Sequence, residues 1–106
     1  MFYAMASLVG SKGGIIAVFD TDPVQKIGRT HNTDLLSSSM MVSRDHMEVK
    51  VENGDFYLKD NSLNGTFVEG TKVPKGVWKK VMPGSIVSLG SPDPEPGAFA
   101  FIILHN

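Results

Sequence analysis

Met47-Glu48-Val49-Lys50-Val51-Glu52-Asn53-Gly54-Asp55-Phe56-Tyr57-Leu58 reads as a β-hairpin. Met47, Val49 and Val51 alternate with His46, Glu48 and Lys50, which gives a strand one apolar and one polar face. Asn53-Gly54 supplies the two-residue turn, because both residue types tolerate positive φ. Phe56 and Leu58 resume the apolar face on the returning strand. No stretch of the chain sustains helical periodicity beyond about two turns, so the strand reading extends outward from this hairpin.

Upstream, strands are expected over residues 3–9, 15–19 and 24–28, and a short one starting at Asp34. They are separated by the turns 10–14 and 20–23 and the loop 30–33. Downstream the pieces are 67–68, 72–73, 77–82, 86–89 and 98–104, broken by Glu69-Gly70 and Pro83-Gly84. Residues 91–97 carry three prolines and read as an exposed loop. Eleven glycines and six prolines punctuate the whole chain, so the expected fold is all-β. About ten or eleven short, mostly antiparallel strands would form a sandwich with its loops gathered at the ends. Binding residues on such a scaffold usually sit on those loops.

With 106 residues the chain is sized for one domain, its core running from about residue 5 to 104. Ten basic residues face eleven acidic ones without a long run of one sign, which argues against a nucleic-acid partner. A local site for one anion needs only a few convergent donors and remains compatible with that balance. There is no cysteine, which removes disulfides, thiol chemistry and cysteine-based zinc sites and fits an intracellular, reducing compartment. His31, His46 and His105 show no metal-ligand spacing, and no cofactor is expected. The apolar start 1–9 has no basic flank and is too short to insert in a membrane.

Three polar clusters fall at expected strand ends: Gly28-Arg29, Ser43-Arg44-Asp45-His46, and Asn61-Ser62-Leu63-Asn64-Gly65-Thr66. In order and spacing they resemble the signature of the forkhead-associated (FHA) family, a GR, an SRxH and an NGT. Asp34-Leu35-Leu36 is similar to that family's acidic-aliphatic fourth strand, and residues 82–90 resemble its late glycine-containing segment. The likeness spans roughly residues 5–104. It implies an FHA-type sandwich that binds phosphothreonine in extended segments of partner proteins, in a chain cut from a larger protein.

The residues themselves suit that chemistry. A phosphothreonine carries close to two negative charges and three acceptor oxygens at neutral pH, and an arginine fork can give it two parallel bonds. Arg29 stands beside a glycine at a strand end, a rigid base for such a fork. Ser43 offers a hydroxyl and a backbone N–H to phosphate, and Arg44 adds a second charge. Asn64 has the donors and acceptor to pair with a peptide main chain. By resemblance, Arg29, Ser43 and Arg44 take the phosphate and Asn64 holds the peptide backbone. Gly28, His46, Gly65 and Thr66 brace the loops.

Ser43, Asp45 and His46 do not read as a hydrolytic triad. Neighbouring strand side chains alternate faces, so Asp45 and His46 point apart, and no nucleophile elbow surrounds the serine. An enzyme is therefore not expected. Met40, Met41, Leu63 and Glu69 border the clusters and are candidates for ligand selectivity. Leu63 stands where relatives can have a hydroxyl, and the Glu69 carboxylate is expected to disfavour acidic ligands. Ser85 replaces a common aspartate away from the site, and Ser37-Ser38-Ser39 is a polar loop. The alternative function is a phosphate-independent interaction platform, self-associating weakly through Met40 and Met41.

Overall fold

Asn53 and Gly54 take φ values of 52° and 80°, the pair of left-handed conformations that a tight hairpin turn requires. They join β4 (Met47–Glu52) to β5 (Asp55–Asp60). The register sets Glu52 opposite Asp55, Val51 opposite Phe56, Val49 opposite Leu58 and Met47 opposite Asp60. Met47, Val49, Val51, Phe56 and Leu58 are buried, so the alternation in the sequence is the core pattern of the hairpin.

The structure is a computed structural model that describes residues 4–19, 21, 23–32, 36, 40–92 and 99–105. Its other strands are β1 (Ala4–Gly10), β2 (Ile15–Phe19), β3 (Gln25–Ile27), β6 (Thr66–Val68), β7 (Thr71–Lys72), β8 (Trp78–Val81), β9 (Ile86–Leu89) and β10 (Phe99–His105). One sheet has the order β2-β1-β10-β9-β6-β7 and the other β3-β4-β5-β8, with neighbours antiparallel throughout. The all-β, two-sheet expectation holds, and the expected strands recur with ends shifted by one or two residues.

Between the sheets lie Leu8, Val18, Ile27, Leu58, Val87, Leu89, Phe99, Phe101 and Ile103, all at most 1% exposed. Phe99 and Phe101 stack side by side, ring centroids 4.9 Å apart. Each large side chain taken out of water here contributes about 1.5–3 kcal/mol. The outer face of the four-stranded sheet is polar. Lys50 lies 4.4 Å and Lys59 4.9 Å from the Trp78 ring, and Lys59 pairs with Glu48 at 3.2 Å.

The short strand expected from Asp34 has one described residue, Leu36, and that residue is not extended. Leu36, buried, donates its N–H to the Asn32 carbonyl four residues back at 2.8 Å, a helical and not an extended bond. Asn32 starts that turn by accepting the Gly28 N–H on its side chain at 3.0 Å, the local bonding by which Asn favours turns. Asp34 and Leu35, where that strand was to begin, lie outside the described residues. So do Tyr3, Asp20, Asp22, Thr33, Ser37-Ser38-Ser39 and most of the proline-rich loop.

Gly54 has φ 80° and open space around a notional Cβ. Gly54→Ala is therefore expected to cost about 1 kcal/mol through backbone conformation alone, read as a shift of the urea midpoint with an unchanged slope.

Candidate functional site

Antiparallel pairing brings the end of β3, the start of β4 and the end of β5 to one edge, since Met47 faces both Ile27 and Asp60. The three polar clusters of the sequence continue from those strand ends and meet there. Arg29 N–H donates to Ser43 C=O at 3.1 Å, and Thr30 reaches Arg44 C=O with its N–H at 3.3 Å and its hydroxyl at 2.9 Å. Leu63 N–H donates to Ser43 Oγ at 3.0 Å, and Asn64 Nδ2 donates to Met41 C=O at 3.1 Å.

His46 is fully buried behind these loops. Its Nδ1 accepts the Ser43 N–H at 3.0 Å, and its Nε2 bonds the Gly65 carbonyl at 2.8 Å. A ring that accepts at Nδ1 and donates at Nε2 is a neutral imidazole with its proton on Nε2. Burial holds the ring's pKa below the usual histidine value, opposed by the Gly65 bond and the Asp60 charge. The partner of His46 is the backbone of Ser43 and not its hydroxyl, so the geometry lacks a serine–histidine proton relay.

A second buried group carries the other loop. Asp60, 1% exposed, accepts on Oδ1 from Ser62 N–H at 3.0 Å, Ser62 Oγ at 2.6 Å and Thr66 Oγ1 at 2.9 Å. Ser62 Oγ in turn accepts the Gly65 N–H at 2.7 Å. Three donors on one oxygen offset the cost of burying the carboxylate. Asp60 and Ser62 were not singled out in the sequence; the legible signal is Asp-x-Ser at the exit of a strand, an Asx-type turn.

Two glycines let the 41–46 loop lie flat on its neighbours. A Cβ at Gly28 would stand 2.1 Å from the Arg44 carbonyl oxygen, and one at Gly90 would stand 2.4 Å from that of Met41. Gly90 also donates its N–H to Gly65 C=O at 2.8 Å, so that carbonyl takes both Gly90 and His46.

With the backbone so committed, the side-chain donors are left over. Arg29 Nε is buried and has no hydrogen-bond partner among the described residues. Neither Arg29 nor Arg44 has a carboxylate within bridging distance among those residues. Ser43 Oγ accepts from Leu63, which leaves its own proton to donate. Asn64 keeps one N–H and its carbonyl oxygen for a ligand, and its side chain faces solvent. Such a set can hold a multiply charged oxyanion next to an extended main chain.

Several expectations change. The Ser43 N–H does not serve as a second donor to a ligand, because His46 Nδ1 takes it. Glu69 turns the β6–β7 hairpin with φ 50°, and its carboxylate accepts the Ile86 N–H at 3.0 Å. It lies three residues along β6 from Thr66, about 10 Å at strand rise. Met40 and Leu63 are at the site edge and 84% and 86% exposed, whereas Met41 is half-buried and holds Asn64 through its carbonyl. His31 Nε2 and Asp45 Oδ1 are hydrogen-bonded across the first two loops, a contact the sequence does not announce. The His31 bond keeps the Asp45 carboxyl below its usual pKa.

Gly28→Ala forces a methyl into the Arg44 carbonyl and is expected to cost at least 1–3 kcal/mol on denaturation, more than Gly54→Ala although Gly28 is in an ordinary conformation. Because the folded His46 pKa lies below the unfolded value of about 6.5, the unfolded chain takes up the proton first as pH falls. The contribution of His46 is full above pH ~6.5 and declines as pH drops toward the folded pKa. Denaturation midpoints are expected to fall as the pH drops below about 6.5, and the His46 part of that slope is expected to vanish in His46→Gln.

A model of the FHA domain matches residues 26–90. An ABC transporter ATP-binding/permease protein of Mycobacterium tuberculosis is 32% identical over 69 residues, 64% of this chain and 8% of that protein. The glycogen accumulation regulator GarA of Mycolicibacterium smegmatis is 38% identical over 56 residues, 52% of this chain and 35% of that protein. The chain thus spans a small part of the first relative and about a third of the second. Among solved structures, the N-terminal FHA domain of Saccharomyces cerevisiae Rad53p, in complex with a phosphothreonine peptide, superimposes with a TM-score of 0.79. It is 23% identical, over 96% of this chain and 94% of that one. The FHA domain of human APLF, in complex with an XRCC1 bisphospho peptide, gives 0.74 at 24% identity over 95% and 98%. The matched segment runs from β3 to the end of β9 and holds all three site loops with the strands that carry them: this chain belongs to the FHA domain family.

Proposed function

We propose that this chain is a reader of phosphothreonine in extended segments of partner proteins, and not an enzyme. Arg29 and Arg44 bind the phosphate oxygens, the Ser43 hydroxyl donates to them, and Asn64 pairs with the peptide main chain. The observation that carries this is Arg29 Nε, buried without a partner beside a serine whose hydroxyl proton is uncommitted. An unfilled buried donor costs about 1–3 kcal/mol, and a guanidinium with no protein acceptor has its whole charge left for a phosphate. Solved FHA domains of similar fold hold a phosphothreonine peptide and a bisphospho peptide, which supports the same ligand class here.

Threonine over serine is expected from burial of one methyl, about 0.8 kcal/mol and a few-fold in affinity. Leu63 brings no hydroxyl to the phosphate, but its N–H orients Ser43 Oγ. The phosphate-independent alternative through Met40 and Met41 gives Arg29 Nε no role and is the weaker reading. A phosphothreonine reader works where kinases act, so we place it inside the cell; among the described residues no helix is long and apolar enough to cross a membrane.

Titration of a phosphothreonine peptide into wild type and Arg29→Ala tests the reading. Loss of two charge-assisted bonds is expected to weaken binding at least ~30-fold. Equal affinity for the phosphorylated and unphosphorylated peptide would refute it.

A further inference from the structure

Residues 70–92 hold four of the chain's ten basic residues, Lys72, Lys75, Lys79 and Lys80, and none of its eleven acidic ones. Lys80 pairs with Asp55 at 3.5 Å. Lys72, Lys75 and Lys79 have no carboxylate in bridging range among the described residues. β7 is the last strand of one sheet and β8 the last of the other. A groove of about 430 Å³ lies between them, lined by Val68, Thr71, Lys72, Val73, Pro74 and Lys79.

The groove adjoins the site already described. Across the β6–β7 pair Lys72 stands opposite Phe67, and its Cε lies 2.9 Å from where a Cβ on Gly65 would be. Its stem therefore runs over the residue next to Asn64. Lys79 stands opposite the buried Leu58 and is itself exposed, so it emerges from the open edge of the sandwich into the same groove. Two exposed like charges sharing a groove repel each other mildly, and an anion between them relieves that repulsion.

We propose that Lys72 and Lys79 form a second anionic subsite for the same phosphopeptide, taking an acidic side chain as the segment leaves Asn64. The subsite rests on the phosphothreonine reading above and specifies its partner class: phosphothreonine segments with a negatively charged flank, either Asp/Glu or a second phosphorylated residue. Lysines on edge strands also discourage strand addition, and that role makes no distinction between peptides.

Fluorescence polarisation at 0.1 M salt separates these roles. The probes are phosphothreonine peptides with Ala, Glu or phosphoserine substituted singly at each of four positions on either side. In wild type, Glu at one or two adjacent positions on one side is expected to tighten binding about five-fold over Ala, and phosphoserine at those positions more. Lys72→Gln/Lys79→Gln is expected to erase the preference while binding the Ala peptide within two-fold of wild type. Lys72→Glu/Lys79→Glu is expected to reverse it. Equal affinity of wild type for all flanks overturns the subsite, as does a variant that weakens every peptide alike. Failure of every phosphothreonine peptide to bind, with no effect of Arg29→Ala, overturns the phosphothreonine reading itself and the subsite with it.

Discussion

The His46 imidazole sits where the two sheets come together, immediately before β4 of one and bonded to Gly65, immediately before β6 of the other. Fully buried, it must satisfy a donor on one side and an acceptor on the other, and a neutral imidazole of fixed tautomer does both. The bond from the Ser43 N–H fixes the loop that carries the Ser43 hydroxyl and the Arg44 guanidinium. The Gly65 carbonyl, shared with Gly90, fixes the start of β6 and the end of β9. Removing the ring would leave the Ser43 N–H without its partner, at a cost of about 1–3 kcal/mol, and the Gly65 carbonyl with Gly90 alone.

A division of labour follows along the same loops. Backbone groups are used for architecture: Arg29 N–H on Ser43, Thr30 on Arg44, Leu63 N–H on the Ser43 hydroxyl. The charged termini of Arg29 and Arg44 are left without carboxylates among the described residues. The His31–Asp45 bond contributes by engaging the Asp45 carboxylate, next in sequence to Arg44. A rigid frame with free cationic ends binds an oxyanion with little ordering of its own chain, which favours affinity from few contacts.

What the sequence disclosed and what it hid have different physical origins. The β4–β5 hairpin was legible because its signals are local: strict alternation over six residues and an Asn-Gly turn. Ser43, His46 and Asn64 were legible as a motif, but the partner of the Ser43 N–H was not, since it depends on where a buried ring points. Asp60 was overlooked because an aspartate at a strand end is ordinarily solvated, and only the fold over it buries it. Glu69 is close to Asn64 in sequence, but strand rise sets it about 10 Å beyond Thr66. Lys72 was missed for the opposite reason: the β6–β7 turn folds it back over Gly65. The Leu36 N–H bond to the Asn32 carbonyl is a single local contact that no periodicity announces.

The turn at Asn53-Gly54 stands at the far end of the hairpin from His46 and Asp60, six residues or about 20 Å away. Side chains in a strand alternate with a period of two, so chain length at that turn acts as a ruler for the whole return strand. A one-residue deletion there that let β5 slip would send Asp60 to the solvent face together with Phe56 and Leu58, and bring Tyr57 and Lys59 inward. The Ser62 and Thr66 bonds gathered on Asp60, and through Ser62 the Gly65 bond, would lose their anchor without any change in the loops that bear them. This binding end thus tolerates changes of residue type at a distant, exposed turn far better than changes of length.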